Sequence, residues 1–135
     1  MNVYNPAQKS VAKQVITIWA DNRGRLVEGN FNFSFGDSSQ TSKTGYPMLC
    51  PGRILKYGIT AAHPNAGGDL HIGIVINDQQ KGEIECSFSP SIESQVVTPS
   101  NSIELNQGDV ISFKTLKTTA SVRSCIIALL IEIDL

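Results

Sequence analysis

The feature that most constrains the fold is an alternating apolar stretch at the end of the chain, residues 121–135, which read SVRSCIIALLIEIDL. In an extended strand, successive side chains point to opposite faces of the sheet. One face of this strand would carry Cys125, Ile127, Leu129, Ile131, Ile133 and Leu135. The opposite face would carry Ile126, Ala128 and Leu130 and become polar only after them. We therefore predict a central strand that is apolar on both faces through its middle.

A strand of this kind needs cover on its second face as well as its first. Each Ile or Leu side chain left in water forgoes roughly 1.5–3 kcal/mol of burial free energy. The cover can come from the chain's own second layer, which makes the strand part of a monomer core. It can also come from another copy of the chain, which places the strand near a subunit interface, and we favour this second interpretation.

Composition excludes two classes of partner. The chain has 135 residues, enough for one domain, with 41% hydrophobic and 17% charged residues. Its net charge of −1 lacks the basic excess of a general nucleic-acid-binding protein, so we predict no nucleic-acid partner. The longest unbroken apolar run, Cys125 to Ile131, is far shorter than the roughly 20 residues of a spanning helix, so no membrane span is predicted.

The sequence predicts an all-β fold with little conventional site chemistry in it. Short β-prone runs recur every 8–12 residues and are separated by Gly, Pro, Asn and Asp, which favours a jelly-roll β-sandwich of two antiparallel sheets. We predict an N-terminal arm or attachment segment over residues 1–13 and a single β-sandwich domain over 14–135. Within this domain, the alternation of Phe31, Phe33 and Phe35 with polar residues predicts a half-buried strand.

Cysteine usage points to free thiols. Cys50, Cys86 and Cys125 are odd in number and widely spaced, with no CxxC pair. We expect them to be buried and reduced, with neither a disulfide framework nor a zinc site.

Catalysis finds no support, and we predict no enzyme activity and no cofactor. The chain has no G-x-S-x-G elbow, H-E-x-x-H motif or phosphate-binding loop. Glu83 and Glu85 share the outer face of one predicted strand, and a solvated sheet surface accounts for them. A mixed metal site formed by His63, Asp69 and His71 would require a loop to fold back on its strand, so no metal is predicted.

Binding through loops is the better-supported interpretation. Residues 37–44 and 63–69 are rich in Asn, Ser, Gly and Thr, which offer adaptable hydrogen bonds to sugars or to a protein backbone. The candidate binding residues are His63, Asn65, Asp69 and His71. The aromatic residues Trp19, Tyr46 and Tyr57 could stack on a ligand, but we expect each to pack in the core.

The order of segments resembles two families. A Gly52–Thr60 entry strand, a Leu70–Asn77 strand that ends in a polar turn, and the phrase IELNQGDVISF at 103–113 precede the apolar last strand. This order resembles the tumour-necrosis-factor-like jelly rolls, including complement-type and spore-surface head domains. In the first half, Ile18–Ala20, Gly29–Gly36 and Gly45–Met48 look like segments of tail-fibre and head-fibre proteins of tailed bacteriophages.

These resemblances imply a compact trimer whose inner sheets pack around a three-fold axis. We predict that Ile126, Leu130, Phe31 and Phe33 lie at the trimer interface. The implied protein is a virion structural component, made in the host cytoplasm, that decorates the capsid or tail, binds the host surface, or does both. Its partners would be copies of itself, other virion proteins and a host surface glycan or protein. The alternative is a lectin-like carbohydrate-binding jelly roll; a cupin-like enzyme is a weaker third reading, because its His/Glu metal constellation is not apparent.

Overall fold

A computed structural model describes residues 14–35, 45–62, 68–88, 94–118 and 123–135. The predicted arm, residues 1–13, and the predicted loop 37–44 lie outside these ranges. Within them the regular elements are strands: β1 (Gln14–Arg25), β2 (Tyr46–Pro47), β3 (Gly52–Ala62), β4 (Gly68–Ile76), β5 (Gln79–Phe88), β6 (Ser94–Val97), β7 (Ile103–Leu105), β8 (Val110–Thr118) and β9 (Arg123–Ile133). The prediction of an all-β fold is confirmed for this part of the chain, where no helix is present that could cross a membrane.

The strands form two antiparallel sheets. One has the order β1-β9-β3-β6, with β7 also paired to β3, and the other has the order β2-β8-β4-β5. β1 pairs with β9, β2 with β8, β3 with β6 and β7, and β4 with β5. Strands from the two ends of the chain therefore lie side by side.

The last strand is central, as the sequence predicts. β9 lies between β1 and β3, and its inward side chains are buried: Cys125, Ile127, Leu129 and Ile131 are 0% exposed. They face a core to which the second sheet contributes Leu70, Ile72, Ile74, Ile84 and Phe113. The predicted inward row is one residue too long, because β9 ends at Ile133 and Leu135 is 73% exposed.

The predicted strand through Phe31, Phe33 and Phe35 is wrong. Residues 26–35 contain one isolated bridge, Asp21 to Ser34, and otherwise no strand. The reason lies in polar side chains that hold the segment as a loop: Oδ1 of Asn32 accepts hydrogen bonds from Val27 N at 3.0 Å and Thr115 Oγ1 at 3.2 Å.

This loop still delivers aromatic side chains to the core. Phe33 is 4% exposed and packs edge-on against Phe113 with ring centroids 6.1 Å apart. Phe35 lies 5.8 Å from Phe113 and 5.7 Å from Tyr46, again between ring centroids. The loop therefore covers one end of the sandwich with aromatic packing.

A two-residue turn joins β4 to β5, and a register shift between Ile74 and Val75 sets the pairing of the strands beyond it. Asn77 and Asp78 both have positive φ, 52° and 66°, as a type I′ hairpin turn requires, and Asn and Asp tolerate this conformation better than most residues. The Asn77 side chain is anchored outside the hairpin, since Nδ2 donates to Asp109 Oδ1 at 2.7 Å and Oδ1 accepts from Val110 N at 3.0 Å. The register places His71 opposite Glu85 and Gly73 opposite Glu83.

The three cysteines are free thiols, and burial, which was predicted for all of them, is found for only two. Cys86 and Cys125 are buried, whereas Cys50 is partly exposed. Burial raises the pKa of Cys86 to about 11 and that of Cys125 to about 12. The reactive thiolate is therefore scarce at both buried positions in neutral or mildly alkaline buffer.

This difference predicts selective labelling. In mildly alkaline buffer, a water-soluble disulfide reagent should label Cys50 quickly in the folded protein, while Cys86 and Cys125 react only slowly. Concentrated urea should make all three thiols react. Peptide mass spectrometry after labelling identifies the modified residue, and rapid modification of Cys86 or Cys125 in the native state would contradict the expectation.

Candidate functional site

The outer face of the five-stranded sheet exposes a continuous set of apolar side chains. This face points away from the second sheet, because the alternate residues of β1, β3 and β9 fill the core. We refer to it as the apolar face. It is defined by Val15, Trp19, Val96, Ile126, Ala128 and Leu130.

The middle of the apolar face is a shallow trough. Trp19 is in register with Ala128, Ala128 with Gly58, and Gly58 with Val96, so these four residues form one row across four strands. The two large side chains stand at the ends of the row and the two small residues lie between them. With strands about 4.8 Å apart, the trough is about 14 Å wide between the backbones at its ends.

Much of this surface is in contact with solvent in the single chain. Val96 is 76% exposed, Trp19 61%, Val15 51% and Ile126 44%. The expectation that Trp19 packs in the core is therefore wrong. Contiguous exposed apolar patches of this kind mark interaction surfaces in soluble proteins.

One border of the apolar face is a cluster of charged residues. Arg53 donates from Nη2 to Asp134 Oδ2 at 2.8 Å and from Nη1 to Glu132 Oε1, and its Nε lies 3.5 Å from Glu104 Oε2. The hydrogen bonds to Asp134 and Glu132 raise the pKa of the Arg53 guanidinium above its usual value. Arg53 is thus charged and held in a fixed position beside Glu132, which lies between Arg53 of β3 and Val15 of β1.

The opposite border is polar. Ile126 is flanked in register by Asp21 of β1 and Thr60 of β3, and Thr60 is in turn opposite Ser94 of β6. An apolar centre with a polar and charged rim is the usual construction of a protein–protein interface.

Two of the four predicted interface residues lie on this face. Ile126 is 44% exposed there, and Leu130, paired with Thr17 and Lys56, is partly buried. Phe33 lies in the core, so its side chain does not reach the surface. Phe31 is partly buried on the loop 26–35, which is not part of the apolar face.

Two of the four predicted loop-site residues, Asp69 and His71, belong to the described part of the chain. His63 and Asn65 lie outside the described residues. Asp69 is exposed at the start of β4, where its Oδ1 accepts a hydrogen bond from Ser87 Oγ at 2.8 Å. His71 lies on the outer face of the second sheet, with Nδ1 2.8 Å from Oε1 of Glu83.

Sequence reasoning missed Trp19, Gly58 and Val96 as parts of a surface. The sequence did contain a signal for Trp19, because alternate residues of a strand point to the same face. Trp19 shares a face with the polar residues Thr17 and Asp21, whereas Ile16 and Ile18 lie on the other face. No comparable signal exists for Gly58 and Val96, because their place depends on which strands pair.

No protein-family model matches the chain, and no curated protein matches it either.

Proposed function

We propose that the protein is a non-enzymatic structural protein of a bacteriophage particle, a homotrimeric knob that decorates the capsid or tail or contacts the host surface. The apolar face is its subunit interface. The observation that carries the proposal is the exposure of Trp19, Val96 and Ile126 around the central strand of a sheet. The phage assignment is supported by the resemblance of residues 18–20, 29–36 and 45–48 to fibre segments.

The strand pairing supports a jelly-roll path. When the chain is divided at the turn between β4 and β5, the strands of the first half pair with those of the second half in reverse order. A jelly roll has this arrangement, since it is a long antiparallel hairpin wound into two packed sheets. The resemblance to the tumour-necrosis-factor-like domains depends on the same path.

The free energy available from the apolar face supports self-association. The exposed fractions of Val15, Trp19, Val96 and Ile126 add up to about two whole side chains. Burying them would contribute about 4 kcal/mol per chain. The face itself favours association with another copy, and the family resemblance makes three the expected number of copies in a closed ring.

The trimer is tested by measuring mass in solution. Light scattering coupled to size exclusion should give about 44 kDa, the mass of three chains of 14.6 kDa. Ile126→Asp puts a charge on the apolar face and should return the mass to that of one chain. Leu49→Asp, at a residue that is 81% exposed but lies outside the face, should leave the trimer intact.

Two results would contradict the assembly. A monomeric mass for the unaltered protein at micromolar concentration removes the trimer. If Ile126→Asp remains trimeric while Leu49→Asp does not, the apolar face is not the trimer interface. Circular dichroism of each variant shows whether the sheets are retained.

Virion membership has a separate test. The protein should copurify with phage particles and be visible on them by immuno-electron microscopy, at the head or at the tail. Deleting residues 1–13, the proposed attachment segment, should prevent incorporation while the shortened chain still forms a trimer in solution. Particles that lack the protein would contradict the virion proposal and leave the trimer unaffected.

The exposure of Trp19 also favours a second candidate, a carbohydrate-binding lectin. An exposed indole ring is a stacking surface for a sugar. In that case Trp19→Ala should abolish a glycan-array signal, whereas Ile126→Asp should retain much of it. If the apolar face is instead a trimer interface, both substitutions should weaken assembly, and neither needs to affect glycan binding.

A further inference from the structure

His71, Glu83 and Glu85 form a cluster of potential metal ligands on the outer face of the second sheet. His71 lies on β4, and both glutamates lie on the neighbouring strand β5. Glu83 and Glu85 are two residues apart and therefore point to the same side of the sheet. Glu85 is directly opposite His71, so all three side chains share one surface.

The distances between the donor atoms suit a single metal ion. Nδ1 of His71 is 2.8 Å from Oε1 of Glu83 and 3.9 Å from Oε1 of Glu85, and the three donor atoms lie within 4.8 Å of one another. In a tetrahedral site with bonds of about 2.0–2.2 Å, donors lie about 3.3–3.6 Å apart. The two histidine distances fall on either side of that range, so small side-chain rotations would bring the donors into place.

A glycine leaves space for this arrangement. Gly73 is the cross-strand partner of Glu83, so no side chain stands opposite that glutamate. A Cβ atom at Gly73 would come within 3.3 Å of the Gln80 side chain and of Leu116 Cδ2, which shows how closely this surface is packed. The carboxylate of Glu83 reaches diagonally across the two strands to His71.

The backbone beneath the cluster is well fixed. Ile72 and Ile84, which neighbour the cluster in sequence and are paired with each other, are both 0% exposed. Tyr57, from the opposite sheet, donates its hydroxyl to the carbonyl of Glu83 at 3.1 Å. Ligands on a rigid backbone lose little entropy when they bind an ion.

The positive charges nearby do not neutralise the two carboxylates by direct contact. Lys117 is in register with His71 and Lys114 with Gly73, both on β8 at the other side of β4. Within the described residues, neither lysine forms a salt bridge with Glu83 or Glu85; the salt bridges of these glutamates are with His71. Two adjacent carboxylates with one imidazole therefore retain an unneutralised negative charge that a cation would offset.

We propose that His71, Glu83 and Glu85 bind one divalent metal ion of the zinc class, with solvent in the remaining coordination position. Mixed imidazole and carboxylate donors suit Zn²⁺ and its neighbours Co²⁺ and Ni²⁺ better than Mg²⁺ or Ca²⁺, which prefer oxygen donors alone. The ion would replace the hydrogen bond between His71 and Glu83 and join β5, an edge strand in the described sheet, to β4. The site lies on a different sheet from the apolar face, so it does not depend on subunit assembly.

The test is calorimetric titration of the full chain with zinc chloride. We expect saturable binding of about one ion per chain. His71→Ala and Glu83→Gln should each weaken binding by about 100-fold, and Glu85→Gln should weaken it by about tenfold. Glu104→Gln, at a carboxylate on the other sheet, and His63→Ala should leave the affinity unchanged.

Cobalt provides an independent readout. Co²⁺ bound at the site should give visible absorption bands that disappear in His71→Ala, and circular dichroism should show that this variant keeps its sheets. Failure of the unaltered protein to bind zinc would overturn the proposal. So would zinc binding that persists in His71→Ala and is lost in His63→Ala or Cys50→Ser.

Discussion

Leu129→Ala should lower the free energy of unfolding by about 3 kcal/mol. Leu129 is 0% exposed and lies at the centre of β9, where it pairs with Ile18 of β1 and Tyr57 of β3. Truncation removes methyl groups from the core and leaves a cavity that strands held on both sides cannot close. Urea denaturation should show a lower midpoint with an unchanged dependence on urea concentration.

Leu135→Ala is the matched control for this prediction. Leu135 is six residues after Leu129, so a continuous strand would place both on the same face. Leu135 instead lies beyond the end of β9 and is 73% exposed. Its truncation should change the free energy of unfolding by less than about 0.5 kcal/mol. Equal losses for the two variants would show that Leu129 does not occupy the tightly packed position described above.

Gly52→Ala should lower the free energy of unfolding by a similar amount, about 3 kcal/mol, for the opposite reason. Gly52 begins β3 and pairs with Ile133 of β9 and Leu105 of β7. A Cβ atom there would lie 2.3 Å from the carbonyl oxygen of Glu132 and 3.2 Å from Cα of Ile133. Because both contacts are with backbone, β9 itself would have to move to accommodate the methyl group.

Gly58→Ala tests the same substitution on the same strand at a position with milder contacts. The nearest atoms to a Cβ at Gly58 are the Gln95 carbonyl oxygen at 3.3 Å and Val96 Cγ2 at 3.5 Å, both on the short edge strand β6. This variant should lose less than about 1 kcal/mol of unfolding free energy. A larger loss for Gly58→Ala than for Gly52→Ala would contradict the packing around β3.

The longer strands of this protein are largely predictable from its sequence because they have a buried face. Alternation with a period of two marks β4, β5 and β9, and the Asn-Asp and Gly-Asp pairs mark the turns that separate strands. The central position of β9 follows from the apolar residues on both faces of its middle part. These signals are local, so the sequence displays them directly.

The loop 26–35 was not predictable by the same means. Its Phe residues alternate with polar ones as in a strand, but the decisive interactions come from distant residues. Asn32 is held by Thr115, and the Asn22 side chain donates to the Asn32 carbonyl at 2.8 Å. Alternation reports which side chains are apolar, and it does not report whether a neighbouring strand is available for pairing.

The two candidate sites were missed from the sequence because each depends on register. Trp19 and Val96 share the apolar face only when β9 and β3 lie between their strands, and no local pattern specifies that order. Glu83 and Glu85 look like an ordinary solvated pair until the Asn77-Asp78 turn and the register shift between Ile74 and Val75 place His71 beside them. In both cases the chemistry of each residue was visible in the sequence, while the neighbours were not.

The pairing of the first strand with the last has a consequence for synthesis on the ribosome. β1 emerges early, but the neighbour it requires, β9, is made after the other eight strands, so the sheet that bears the apolar face cannot close until β9 has been synthesised. The hairpin of β4 and β5 is local and can form first, whereas contacts across most of the chain length form slowly. Trp19 and Ile126 therefore come together only after β9 has been made, which delays association through the apolar face.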